Sequence, residues 1–250
     1  MAINMEDNHV YLPRIHVAQP LHEEEVIALP AAAARHVQVL RLQPNDQIHL
    51  FNGEGGQWLA TIMEMGKNHV HALICSYQNI EREASVHVSL LVGIPANERM
   101  DFLIEKATEL GVVHIYPLLF SRSVIKLHGE RALKKLTHWQ AIAIAACEQC
   151  GRNRIPKIHP VLTLNELLQH PRPELPSDRR MLCFRENAIC WTASGKAEPV
   201  CILSGPEGGL SAEEENRLIS EARFVPFSLG SRILRADTAP LAALSSFTLY

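Results

Sequence analysis

Two glycine-bearing turns, Gly205-Pro206-Glu207-Gly208-Gly209 and Leu229-Gly230-Ser231, each follow a short apolar run of buried-strand character. Two strand ends with tight turns form a ligand crevice. Between them Ser211-Ala212-Glu213-Glu214 matches a capping box, with Ser211 as N-cap and Glu214 at N3, so a helix should run to about Ala222. A glycine loop feeding a helix N-terminus commonly holds phosphate, because free N–H groups and the helix dipole attract anions. Here Glu207 sits in the loop and Glu213, Glu214 and Glu215 fill the first turn, which suits the dipole but repels a nucleotide's phosphates. No Gly-Lys-Ser/Thr follows and no GxGxxG is present, so neither a P-loop nor a dinucleotide fingerprint is at hand. The ligand favoured is one without phosphate, met by backbone groups and by Leu203, Leu229, Ile233 and Leu234. S-adenosylmethionine, with its adenine, ribose and cationic sulfonium, suits such a crevice better than ATP or NAD. Ordinary strand-to-helix turns of an α/β fold would carry the same residues.

Other chemistry is less well supported. The six cysteines form no small-scaffold disulfide framework, and a 250-residue chain with 47% hydrophobic content has core enough without one. Cys147-Glu148-Gln149-Cys150 is formally CxxC, but no further pair of ligands with local spacing accompanies it, and its place at the end of a helical run favours packing over metal or redox use. A formal charge of −3 excludes a globally basic polyanion binder, so any nucleic-acid surface is local. Basic residues gather at Arg14, Arg35, His36 and Arg41, and again from Arg122 to Lys135 with Arg152 and Arg154 beyond; solvated faces or RNA contacts would both explain them. No apolar run reaches membrane-span length and the first residues are polar and acidic rather than a leader, so a cytoplasmic location is expected, with no membrane partner and no metal.

The elements that must position the two turns fall into two styles. Residues 1–77 read as a small β domain: strands near 11–18, 25–29, 48–51, 57–65 and 69–77, with a short helix after Pro30. A polar linker spans 78–84. From 85 to 250 strands alternate with helices, which implies a mostly parallel sheet covered on its faces. Strands are expected at 88–94, 114–119, 181–184, 200–203 and 224–229, with helices at 98–110, 131–150 and from Asp237, a plausible N-cap with Pro240 in the first turn. The Pro171 to Pro176 stretch reads as an exposed loop.

Six segments, taken together and in order, resemble one family. They are Arg35-His36 through Val39-Leu40-Arg41, Phe51-Asn52-Gly53-Glu54-Gly55, Glu105-Lys106-Ala107-Thr108-Glu109-Leu110-Gly111-Val112, Glu148-Gln149-Cys150-Gly151-Arg152-Asn153-Arg154-Ile155-Pro156, the Gly205–Gly209 turn, and Leu229-Gly230-Ser231-Arg232-Ile233-Leu234-Arg235. The chain is similar in them to the bacterial 16S ribosomal RNA uridine N3-methyltransferases, the RsmE family. The resemblance implies an α/β fold with a SPOUT-type knotted parallel sheet, helices on its faces and a C-terminal trefoil knot, plus a small N-terminal PUA-like β-barrel that binds RNA. General folding rules would not predict a knot, since knots are very rare. It further implies S-adenosylmethionine as cofactor, a homodimer, and a uridine in the decoding region of 16S rRNA as target within the assembled small ribosomal subunit. Ser204 stands where an apolar residue is more usual, and Asp237 where Glu is usual.

Carried over by motif, cofactor contacts fall on Phe184, Leu203, Ser204, Gly205, Pro206, Glu207, Gly208, Gly209, Leu229, Gly230, Ile233 and Leu234. Uridine N3 is an imide nitrogen that must lose its proton to attack a methyl sulfonium, so the protein must assist deprotonation and stabilise charge on O2 and O4. Arg152 is the candidate for that charge, because its guanidinium stays ionised and forks across two acceptors. Glu148 or Glu109 is the candidate base or orienter, with a helix-surface ion pair as the alternative role. RNA contacts are expected from Arg14, Arg35, His36, Arg41 and Arg122.

Overall fold

The computed structural model describes residues 12–67, 69–96, 98–169, 175–190 and 198–249. The Pro171–Pro176 stretch therefore lies largely outside the described residues, as does the start of the first expected strand. By compactness the chain divides into residues up to Arg82 together with Glu148–Arg154, and Glu83–Cys147 together with Ile155–Tyr250.

In the first unit, β1 (Arg14–His16), β2 (Val26–Ala28), helix α1 (Ala31–Val39), β3 (Gln47–Phe51), β4 (Gln57–Met65) and β5 (Val70–Gln78) follow in order. The sheet order is β1-β3-β4-β5-β2. β1 and β3 run parallel and the remaining pairs antiparallel. Alternation puts Ile48 and Leu50, Ala60 and Ile62, and Val70, Ala72 and Ile74 on one face, where they close a core with Ile15, Val17 and Ala33, Ala34 and Val37 of α1.

The Glu148–Arg154 segment is fastened to this sheet by polar groups. Arg14, 5% exposed, donates to the Gln57 side chain (2.5 Å), to the Arg152 carbonyl (2.9 Å) and to Asn153 Oδ1 (2.6 Å), and its guanidinium lies over the Phe51 ring. Asn153 donates to the Ile80 carbonyl, Arg82 donates to the Gly151 carbonyl, and Arg154 pairs with Glu81 at 2.6 Å. Burying a guanidinium is costly unless it is bonded, and the Arg14 bonds to Arg152 and Asn153 hold the segment in place.

The second unit contains β6 (Val88–Gly93), α2 (Arg99–Glu109), β7 (His114–Leu119), α3 (Gly129–Cys150, its last turn counted with the first unit), β8 (Lys157–Ile158) and β9 (Leu162–Thr163). Then come α4 (Leu164–Gln169), β10 (Asp178–Leu182), β11 (Ile189–Cys190), β12 (Val200–Ser204), α5 (Ala212–Ser220), β13 (Val225–Ser228) and α6 (Thr238–Thr248). The sheet order is β11-β13-β10-β12-β6-β7-β8, with β9 also on β7, and every strand pairing is parallel. β6 and β12 are central and buried on both faces. Val88, Leu90, Val92, Val200 and Ile202 face one cluster with α2 and α6, while Leu91, Cys201 and Leu203 face the other with Leu218 and Phe224. Burial pushes the Cys201 thiol up to about 12, so it packs rather than reacts. The final strand β13 inserts between β10 and β11, and the chain then returns to set α6 against β12 and β6.

The long expected elements are present, whereas β8, β9, β11 and α4 are additional: two-residue strands and a six-residue helix are too short to carry a readable period. Asp237 occupies the N-cap position of α6 without a capping side-chain bond; the Thr238 and Ala239 N–H groups donate to the Arg235 carbonyl instead. The capping box on α5 is complete, with Ser211 N–H donating to Glu214 (2.8 Å) and Glu214 N–H donating to Ser211 Oγ. Glu214 also accepts the Ser121 N–H at 2.6 Å. Burial alone would raise its pKa, but hydrogen bonds from the Ser121 and Ser211 backbone outweigh burial and hold it below the usual carboxylate range. Because the folded value is depressed, the stabilisation is present above the unfolded pKa of about 4.3 and is lost as pH falls through the folded value. Replacement Glu214→Gln should lower stability near neutrality by about 1 kcal/mol. The difference from the parent should shrink below about pH 4 in urea melts recorded across pH.

Candidate cofactor cavity and RNA-facing residues

A cavity of about 800 Å3 opens in the second unit at the C-terminal ends of β10, β12 and β13. This is the end of a parallel sheet where α/β folds place ligands. Its walls are the Ser204–Glu207 turn with Gly209 and Leu210, the Ser228–Gly230 turn, and Arg232 to Ala236; Leu182–Arg185 and Phe227 complete them. β6 ends in Gly93, where a Cβ would collide with the backbone nitrogen of Pro206; only glycine lets the two strand ends approach so closely. Gly209 and Gly230 have φ of +69° and +110°, conformations open to glycine at little cost.

Acidic residues around the cavity have structural partners. Glu207 accepts the Ala96 N–H at 2.7 Å and lies 3.4 Å from Arg99, which joins the β12 turn to the β6 turn. Glu215 pairs with Arg185 at 2.6 Å. Arg122 donates to the Gly208 and Leu210 carbonyls, gripping the outer side of the same turn. By contrast Arg232 and Arg235 line the cavity, are exposed, and have no acidic partner among the described residues.

Ten of the anticipated cofactor residues line this cavity: Phe184, Ser204, Gly205, Pro206, Glu207, Gly209, Leu229, Gly230, Ile233 and Leu234. Two do not. Leu203 is fully buried in the core beneath, since strand alternation turns it away, and Gly208 packs against Arg122. The anticipated catalytic set is not gathered at the cavity. Glu109 is bonded to Lys106 on α2 at 2.7 Å. Glu148 accepts the His16 N–H at 3.0 Å and lies 3.2 Å from His36 Nδ1, and Arg152 is 4% exposed; both belong to the first unit. Arg14 is corrected from an RNA contact to a structural residue because it is buried and bonded, whereas Arg122 is exposed and braces the Gly208–Leu210 turn. Sequence reasoning passed over Arg232 and Arg235 as members of a motif, although they are the two arginines of a glycine-initiated loop.

In the first unit Arg35 and Arg41 are exposed and His36 is half-buried. Arg41 has φ of +58°, at the point where α1 ends: its N–H bonds the Gln38 carbonyl and the Leu42 N–H bonds the Val37 carbonyl. That is the helix-ending geometry that glycine usually supplies, as Gly111 does after α2 at φ +88°.

Comparison with known proteins agrees with this arrangement. Residues 82–248 match a family model described as an RNA methyltransferase domain, and residues 29–75 match an RNA methyltransferase PUA domain. A ribosomal RNA small subunit methyltransferase E of Bacillus subtilis is 32% identical over 240 residues, 92% of each chain. A Neisseria gonorrhoeae ribosomal RNA small subunit methyltransferase E, solved bound to S-adenosylmethionine, is 35% identical over 94% of this chain and 96% of its own, with a TM-score of 0.86. A Legionella pneumophila methyltransferase in complex with the same cofactor is 34% identical over 95% and 97%, with a TM-score of 0.87. A PUA unit together with a parallel sheet flanked by helices, with a cavity at its strand ends, defines an RNA methyltransferase. Within that class, the chain belongs to the ribosomal RNA small subunit methyltransferase E, or RsmE, family.

Left-handed backbone is costly for a side chain bearing a Cβ, by roughly 1–2 kcal/mol. Arg41→Gly should therefore raise stability by about 0.5–1 kcal/mol in urea melts.

Proposed function

We propose that this chain transfers the methyl group of S-adenosylmethionine to N3 of a uridine in the decoding region of 16S rRNA, acting on the assembled small ribosomal subunit. The observation that carries this reading is the cavity itself: two glycine turns at parallel strand ends, and two arginines at the rim with no acidic partner among the described residues. The residues present fit the cofactor. Phe227, Leu229 and Leu234 offer apolar surface for adenine, and backbone groups of the two turns can meet its polar edge and the ribose. When bound, the cofactor supplies an electrophilic methyl on a sulfonium.

The chain's own part is positioning and charge. The rigid turns hold the cofactor so that a uridine N3 can approach the methyl in line. Arg232 and Arg235 supply fixed positive charge where the uridinate O2 and O4 oxygens gather charge, which favours loss of the N3 proton to solvent water. Arg35 and Arg41 of the PUA unit contact the rRNA backbone, an orienting role that carries no base information. The target uridine must be unstacked to reach the cavity. The protein works as a cytoplasmic homodimer. Ile233 and Phe184, 84% and 64% exposed at the cavity rim, are the apolar side chains a second copy would cover.

Methyl transfer from labelled cofactor should be measured on undermethylated small subunits and, separately, on protein-free 16S rRNA, with the product nucleoside identified by mass spectrometry. N3-methyluridine on the subunit, with weak labelling of free RNA, is expected; another methylated nucleoside would move the reaction to a different base. Two substitutions separate the roles. Gly93→Ala should displace the Gly205-Pro206 turn and weaken cofactor binding by about tenfold or more in calorimetric titration, with the thermal melt as the folding control. Arg232→Ala with Arg235→Ala should lower turnover by about a hundredfold and change cofactor affinity little.

A further inference from the structure

The β4–β5 hairpin of the PUA unit brings together two imidazoles and a carboxylate that the methyl-transfer reading does not use. Glu64 Oε1 lies 3.4 Å from His69 Nε2, and Glu64 Oε2 lies 3.7 Å from His71 Nδ1. The ligand atoms of all three residues fall within 4.8 Å of one another. Ligands at metal-bond length, roughly 2.0–2.1 Å, around a tetrahedral ion stand about 3.3 Å apart, close to the two imidazole–carboxylate separations here, each of which runs to a different Glu64 oxygen.

Three features of the hairpin build this cluster. The ladder pairs Ile62 with Ala72 and then Glu64 with His71, so Met63 is an extra residue, and this bulge re-aims Glu64 to stand opposite His71. Gly66 bonds the His69 carbonyl through its N–H, and a Cβ at Gly66 would enter the His69 ring; the bare glycine leaves the imidazole its space. His71 Nδ1 is buried and has no hydrogen-bond partner. A buried ring nitrogen left without a partner is costly in a surface hairpin that has every freedom to turn it to water.

We propose that Glu64, His69 and His71 form a binding site for one divalent transition cation, of the zinc, cobalt or nickel class. The donor set is two imidazole nitrogens and one carboxylate oxygen, which suits these ions and not magnesium, a cation of all-oxygen sites. Three protein ligands leave at least one coordination position for water or an RNA oxygen. The ion pins the hairpin turn, and Gln38 of α1 donates to the carbonyls of Gly66 and Lys67 in that turn at 2.9 and 3.1 Å. Metal binding thus stiffens the support of the helix that presents Arg35 and is followed by Arg41.

The test uses the full chain, stripped with chelator and titrated with ZnCl2, CoCl2 and MgCl2. One Zn2+ per chain is expected by calorimetry and by native mass spectrometry, with a raised melting temperature and no response to Mg2+. The Co2+ form should show the visible bands of a nitrogen–oxygen site without the near-ultraviolet thiolate charge-transfer band, which separates this cluster from the exposed Cys75 and Cys190. His71→Ala and Glu64→Gln should each weaken Zn2+ binding by about tenfold or more while keeping the unliganded melting temperature near that of the parent. Undiminished stoichiometry and affinity in both variants, a thiolate band, or no binding of Zn2+ or Co2+ by the parent would each overturn the proposal. Methyl-transfer activity is read separately, so its loss or retention bears on the catalytic reading alone.

Discussion

The cavity depends on carboxylates that hold backbone N–H groups. Glu207 binds Ala96 N–H, and Glu214 binds Ser121 and Ser211 N–H, so three separate loops of the α/β unit are joined where the strands end. Charge-assisted bonds of this kind are about twice as strong as neutral ones, and they fix loops that would otherwise move independently. Their second effect is electrostatic: with Glu207 and Glu215 committed to partners, the charge left open at the cavity is that of Arg232 and Arg235. One arrangement therefore sets the shape of the site and which of its charges stay open.

The PUA unit relies on a comparable device with opposite charge. Arg14 is buried beneath the Glu148–Arg154 segment and bonds its backbone and side chains, so a conspicuous basic residue serves folding rather than RNA. The exposed cations Arg35 and Arg41 lie on or just beyond α1, and the second is held in a left-handed conformation where glycine would be easier. Backbone strain kept at an exposed arginine is consistent with a positive charge that must point in one direction.

How far the residues themselves could be read varies with the range of the interaction. The capping box at Ser211 and Glu214, the alternating strands of the β unit and the long strands β6, β7 and β12 were legible because each is written in local spacing. Ten of the residues named by motif resemblance line the cavity, while Leu203 is buried beneath it because strand alternation past a turn depends on which face the sheet buries. Arg152, Glu148 and Glu109 were singled out by residue type. A guanidinium or carboxylate has the same letter whether it faces a substrate or satisfies a neighbouring backbone.

The sequence alone determined the long strands, the glycine turns with the capping box between them, and the family. These rest on local periodicity, turn chemistry and short motifs, which survive in one dimension. Tertiary structure decided which charges are free. It buried Arg14, committed Glu148 and Glu207 to backbone partners, left Arg232 and Arg235 open at the cavity, and set Glu64 opposite His71 through a one-residue bulge. The reason is physical: whether a polar group is satisfied or available depends on partners far away in the chain, and only the packed fold brings those partners within hydrogen-bond reach.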